Sequence, residues 1–173
     1  QLPATLRFHD LSSGAVVHPG PDTIVRCCAG NHPGGVLAYR VEHAGRPVVY
    51  LTDHEPPDTQ PAGIIELARG ADVLIAVPVM LLRITSLDSE LTAKYDVGNL
   101  KIVSLSGSAL PGGLALEWMD RFGDNIYNMY GSTEVAFASV AGPADLRRNP
   151  STAGRPPRGN RIRLVDEEGR DVP

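Results

Sequence analysis

The chain has 173 residues, of which 42% are hydrophobic and 21% charged, a soluble balance with enough apolar mass for one domain with a real core. A formal charge of −4 and an aromatic content of 5% point away from nucleic acid and anionic membrane as partners. The longest apolar run, Val73 to Leu82, is interrupted by Pro78, so no transmembrane segment is expected, and no basic stretch leads an apolar one as in a secretory signal.

Thr23 to Cys28 reads as a short strand, and its neighbours Cys27 and Cys28 are the only cysteines. Adjacent cysteines pair with strain, which fits a reducing, cytoplasmic setting. Gln1 stands where a start methionine would, so a fragment or processed product is expected. Asn31 to Gly35 is a turn. Val36 to His43 alternates as a half-buried strand, with Leu37, Tyr39 and Val41 on one face and Arg40 and Glu42 on the other. Ala44-Gly45-Arg46 turns the chain into a partner strand, Pro47 to Thr52. Asp53 to Gln60 is a polar, proline-rich loop, and Pro61 to Arg69 is helical with Gly70 as its stop.

Ala71 to Val77 is apolar nearly throughout, as in a strand buried on both faces. Met80 to Leu87 is a helix started by Pro78, and Lys101 to Ser106 is a strand. Pro111 to Phe122 is an amphipathic helix, with Leu114, Ala115, Trp118, Met119 and Phe122 on its apolar stripe. Asn125 to Tyr130 is a strand ended by Gly131; Phe137 to Ala141 and Arg161 to Asp166 are further strands, and Glu167 to Arg170 is a hairpin-type turn. The fold class is α/β, strand-rich at first and then alternating strand and helix.

Activating a carboxylate as an acyl-adenylate needs a surface for adenine, donors for the α-phosphate and a carboxylate for Mg²⁺. Asn128-Met129-Tyr130-Gly131-Ser132-Thr133-Glu134 supplies these residue types at a strand end. Tyr130 offers a ring face, Gly131 allows close backbone approach, Thr133 offers a hydroxyl and Glu134 a metal ligand. Taken alone, the same peptide is more often a plain surface turn. A second strand-end turn upstream, Ser106-Gly107-Ser108-Ala109-Leu110-Pro111, shifts the balance, because open α/β sheets bind ligands at strand carboxyl ends.

From Val77-Pro78-Val79-Met80-Leu81 through these two turns to Ser151-Thr152-Ala153-Gly154-Arg155-Pro156, the chain resembles the adenylate-forming enzymes, and the acyl-CoA synthetase branch best. The resemblance implies ATP or AMP, Mg²⁺ and coenzyme A, with a small carboxylic or fatty acid as the other substrate. It places Ser106, Gly107, Ser108 and Ala109 in the adenine and acyl pocket, and counts Asn128, Gly131 and Ser132 among the cofactor-binding residues. It puts Tyr130 on adenine, Thr133 on phosphate and Glu134 on Mg²⁺, and sets Val135, Ala136 and Phe137 beside the acyl group. The family's lysine-ended phosphate loop, its ribose-binding aspartate and its mobile C-terminal domain are not found in the sequence, so the chain is expected to be inactive in isolation.

Asn31-His32-Pro33-Gly34-Gly35, with Tyr39-Arg40, Gly45-Arg46 and Tyr50-Leu51-Thr52-Asp53, looks like the metallo-β-lactamase hydrolase fold. That resemblance implies His32 and Asp53 as ligands of Zn²⁺ or Fe. A lone histidine and a lone aspartate are more often polar loop residues, and the family's main ligand cluster is absent. Cys27, Cys28 and His32 form another, weaker candidate metal group. The two resemblances divide the chain into 1–75, metallo-β-lactamase-like, and 76–173, AMP-binding, and imply a chimera joined near Ala71 to Val77. The expected function is a fragment of an ATP-dependent acyl-CoA ligase, with a metal-dependent hydrolase or a non-catalytic fusion fragment as alternatives.

Overall fold

The computed structural model describes residues 9–55, 62–132, 134 and 136–172. Two compact units meet between Ala71 and Asp72.

The first unit is an antiparallel run of β1 (Val16–Gly20), β2 (Thr23–Gly30), β3 (Val36–His43) and β4 (Arg46–Tyr50), with the helix α1 (Ala62–Ala68). α1 packs on β2 and β3. Ala44 and Gly45, at φ 49° and 75°, make the two-residue turn whose twist matches the strands it joins. His43 consequently faces Arg46 in register. Pairing of Cys28 with Ala38 and of Arg26 with Arg40 sets these four residues on one face, where α1 lies. Gly63 of α1 approaches the Cys28 side chain closely, at 3.6 Å from where its own Cβ would be. Burial, and the neighbouring Cys27, push the Cys28 thiol above its ordinary range. Cys27 points the other way, is buried, and donates to the Ser12 carbonyl at 3.2 Å.

The alternation along β3 is real but its polar face is not a solvent face. Arg40 donates to the carbonyls of Leu67 and Arg69 at 2.9 and 2.8 Å and pairs with Glu42 at 2.6 Å. It thus satisfies the carbonyls at the end of α1, which lack partners inside the helix. β1, which closes on Pro19 and Gly20, pairs with β2 through an irregular register between Val17 and Gly20.

The second unit carries β5 (Val73–Ala76), α2 (Pro78–Thr85), α3 (Ser89–Thr92), β6 (Ile102–Leu105), α4 (Gly112–Phe122), β7 (Ile126–Ser132), β8 (Ala136–Ala141) and α5 (Pro143–Arg148). β5, β6 and β7 are parallel, which requires the crossover helices between them, and β8 returns antiparallel on β7. Val73, Leu74 and Ile75 are only half-buried, short of the closure on both faces that their composition suggests. α4 packs on α2, β7 and α5. The core holds Leu81, Val103, Leu105, Ala115, Ile126 and Leu146, all essentially inaccessible to water.

Polar anchors fix the helices. Trp118 Nε1 donates to Asn125 Oδ1 at 2.9 Å, and Asn125 Nδ2 donates to the Leu100 carbonyl at 2.9 Å. Both side chains are buried, so each needs its partner. Arg121 donates to the carbonyls of Thr85 and Leu87 and to the Thr92 hydroxyl, at 2.7, 2.9 and 2.6 Å, tying α4 to the end of α2 and to α3. Arg147 of α5 bridges Asp124 and Asp120; these carboxylates push its pKa further up.

The expected strand over Arg161 to Asp166 is a single bridge, Val165 to Asp171. The turn after it forms as expected, because Asp166 Oδ1 accepts from the amides of Glu168 and Arg170. α3 and α5 are one-turn elements whose signals, Asp88 accepting from the Glu90 amide at 2.7 Å and Pro143 at a helix start, are too short for a periodic pattern.

Candidate nucleotide site

β5 and β6 end side by side, and β7 runs on beyond them. Ala76 is in register with Leu105, and Leu105 with Asn128, so the carboxyl ends of β5, β6 and β7 face the same way. The segment after β6 is the turn Ser106 to Leu110, in which Gly107 has φ 88°, a conformation that favours glycine. The Ser106 amide donates to the Ala76 carbonyl at 3.4 Å. Gly107, Ser108 and Ala109 are exposed, and Leu110 is buried as the chain enters α4.

β7 continues past the end of β6, paired only with β8. The strand does not stop at Gly131, as the sequence suggested, but runs to Ser132 with a register shift between Tyr130 and Gly131. Glycine is required there because a Cβ on Gly131 would sit 1.8 Å from the Ala136 carbonyl oxygen. At this position the strands of the hairpin approach too closely for any side chain. Ala136 itself takes φ 54°, an uncommon conformation outside glycine. Tyr130 is 63% exposed, an aromatic face open to solvent.

Glu134 is exposed at the tip, and the Ser132 hydroxyl donates to its Oε2 at 2.6 Å. That bond, with one to its own backbone amide, holds the Glu134 carboxyl below the usual carboxylate range. The interaction favours the ionised carboxylate. Thr133 and Val135 lie outside the described residues. Asn128 does not reach toward the tip; its Nδ2 donates to the Thr152 carbonyl at 3.3 Å. The Ser139 hydroxyl donates to the Ala153 carbonyl at 2.7 Å, and Val140 and Arg155 exchange backbone bonds. Residues 152–155 are thereby strapped along β7 and β8. Gly154 has φ 83°, and a Cβ there would lie 2.0 Å from the Val140 carbonyl oxygen.

In the first unit, Asn31 clasps the segment after β4. Its amide donates to Nδ1 of the buried His54 at 2.9 Å, its Nδ2 donates to the Glu55 carbonyl at 2.8 Å, and its carbonyl accepts from the Glu55 amide at 2.7 Å. His32 and Asp53 flank this clasp and are both exposed. His32 Nδ1 accepts from the Gly34 amide at 3.1 Å, which occupies one ring nitrogen within its own turn. Among the described residues, no three His, Cys, Asp or Glu side chains gather as a metal group, and a catalytic Zn²⁺ needs about three protein ligands. The residues present do not fit a hydrolytic metal. Mg²⁺ is different, since it is held through one or two carboxylates plus substrate phosphates and water, and Glu134 suits that role.

The AMP-binding enzyme family model matches residues 34–173. The chain belongs to the AMP-binding enzymes. The match runs unbroken through Ala71 to Val77, so the family does not change at the strand where a chimeric joint was expected, and none of the relatives below carries a metallo-β-lactamase name. Benzoate–CoA ligase of Thauera aromatica is 35% identical over 74 residues, covering 42% of this chain and 14% of that protein. Enterobactin synthase component F of Escherichia coli K12 is 32% identical over 103 residues, covering 56% of this chain and 8% of that protein. Among solved structures, a benzoate CoA ligase from Burkholderia xenovorans LB400 aligns with TM-score 0.54 and 28% identity, over 64% of this chain and 22% of that one. The amide bond synthetase McbA of Marinactinospora thermotolerans shares the fold, with TM-score 0.58 and 22% identity over 66% of this chain and 24% of that one. This AMP-binding chain thus spans a quarter or less of each relative named here. No helix among the described residues is long and apolar enough to cross a membrane.

Proposed function

We propose that the chain is a segment of an adenylate-forming carboxylate–CoA ligase, which activates a small carboxylic acid with ATP and passes it to coenzyme A. The observation that carries this reading is the alignment of Leu105 with Asn128. It sets the Ser106–Ala109 turn and the Tyr130–Glu134 tip at the carboxyl ends of adjacent parallel strands, where ligands of open α/β sheets sit. The benzoate–CoA ligases among the relatives support an aromatic acid over a fatty acid as substrate class.

In this reading the exposed Tyr130 ring stacks on adenine, and the Gly107 turn brings backbone and the Ser108 hydroxyl up to the nucleotide. Thr133 meets the α-phosphate. Ser132 orients the Glu134 carboxylate toward the phosphates. Glu134 would hold Mg²⁺, which when bound would supply positive charge to the phosphate oxygens. The ligase reading covers 34–173, the residues that the family model matches. Hydrolysis at His32 and Asp53 is not favoured, since no third ligand joins them among the described residues.

Because the chain covers 14% of its benzoate–CoA ligase relative, binding is the appropriate assay for the isolated chain. Calorimetry with a non-hydrolysable acyl-adenylate analogue should detect binding. Tyr130→Ala should weaken it by roughly tenfold, the lower range of base–aromatic stacking. No heat at millimolar analogue, or equal affinity in the variant, would remove the basis of the assignment.

A further inference from the structure

Between Leu146 and Val165 the sequence holds Arg147, Arg148, Arg155, Arg158, Arg161 and Arg163 and not one Asp or Glu, in a chain whose net charge is −4. Arg147 is saturated by Asp120 and Asp124, and Arg163 pairs with Asp171. Arg148 and Arg155 are differently placed. Together with Asp145, Asn149, Thr152 and Gly154 they line an open concavity of about 260 Å³ at the end of α5 and the segment after it.

The hydrogen-bonding ledger of this concavity is one-sided. Arg148 and Arg155 both address a single oxygen, Asp145 Oδ1, at 3.0 and 3.9 Å. Two guanidiniums against one carboxylate leave a net positive charge. Asp145 Oδ2 is already used by the Gly142 amide at 3.3 Å. Asn149 Oδ1 accepts from the Ser151 amide at 3.3 Å, and the Thr152 hydroxyl oxygen accepts from the Gly154 amide at 3.0 Å. The side-chain acceptors are therefore committed internally. What remains is a set of donors: the spare guanidinium N–H groups, the Asn149 Nδ2 and the Thr152 O–H. The scaffold beneath is fixed, because Thr152, Ala153 and Arg155 are strapped to β7 and β8.

We infer that the Arg148–Arg155 concavity is an anion site that takes a phosphate group, distinct from the Tyr130–Glu134 tip. Paired guanidiniums suit the tetrahedral oxygens of phosphate, each able to donate two parallel bonds. Asn149 and Thr152 add neutral donors to the same oxygens. Both arginines are more exposed than buried, so solvent screening places the affinity in the millimolar range. Asp145 acts as the internal competitor of the ligand.

The test is a titration of the full chain with inorganic phosphate and pyrophosphate at constant ionic strength, followed by ¹⁵N NMR. The Nε–Hε signals of Arg148 and Arg155 and the Asn149 amide should move together and saturate, with pyrophosphate binding more tightly. Arg155→Gln should weaken binding at least fivefold, whereas Arg163→Gln should leave it unchanged. Asp145→Asn should tighten it severalfold, a change of sign that loss of structure would not produce. Equal movement of all arginine signals, the same response to chloride, or weaker binding in Asp145→Asn would overturn the site.

Discussion

The Ser132 hydroxyl donates to Glu134 Oε2 across 2.6 Å at the tip of the β7–β8 hairpin. This bond favours the ionised carboxylate and depresses its pKa. Because the folded value lies below the unfolded one, its contribution to stability is present above the unfolded pKa and is lost as pH falls through the folded one. Glu134 is fully exposed, so solvent screening keeps that contribution small. The carboxyl ¹³C titration of Glu134 should have its midpoint below the usual glutamate range. Ser132→Ala should move that midpoint upward, and an unmoved midpoint would show the bond to be inconsequential.

With Gly131→Ala, Gly154→Ala is expected to be one of the two most damaging single-methyl changes in the second unit. The residue sits at φ 83°, and the new Cβ would meet the Val140 carbonyl oxygen at 2.0 Å. Overpacking against backbone and a left-handed conformation both count against alanine, together about 3 kcal/mol or more. Urea unfolding should show a lowered midpoint with unchanged slope.

Arg121 makes charge-assisted bonds to Thr85, Leu87 and Thr92. Arg121→Ala should cost about 2–4 kcal/mol, since bonds to charged groups are the stronger class. Hydrogen exchange should accelerate first in residues 85–95. Arg121→Lys should recover only part of the loss, because an ammonium cannot reproduce the planar fork.

The buried pair Trp118 and Asn125 is bonded at 2.9 Å. Asn125→Leu removes the acceptor of the indole N–H and the donor to Leu100 together, at about 1–3 kcal/mol. Trp118 is the only tryptophan, so its fluorescence reports unfolding directly. Tyr130→Ala, by contrast, should shift stability by no more than about 0.5 kcal/mol, as expected of an exposed side chain with no packing role.

Long periodic segments were legible in the sequence. β3 forms over Val36–His43 as its alternation required, and α4 buries Leu114, Ala115, Trp118 and Met119. Short elements set by one cap or one hydrogen bond were not, as with α3 and α5. The glycine at 131 was legible as a special position, but it does not end its strand: it lets two strands approach. Arg40 stands on the polar face of an alternating strand, where a charged residue normally meets solvent. It is covered because α1 ends above it with carbonyls that need a donor. The two strand-end turns could be located from sequence, whereas the Arg148–Arg155 concavity depends on a strap whose register only the fold supplies. The one sequence trace of it was the run of arginines without acids after Asp145.

The strap over β8 has a protective consequence. Val140 is bridged by Arg155, and Asn160 reaches the carbonyl of Phe137, so the molecule supplies its own cover for part of a strand margin that another copy could otherwise extend. A protease nick in the 156–159 segment would loosen that cover without touching the core, and the clipped protein should then be the form that recruits further copies into insoluble material.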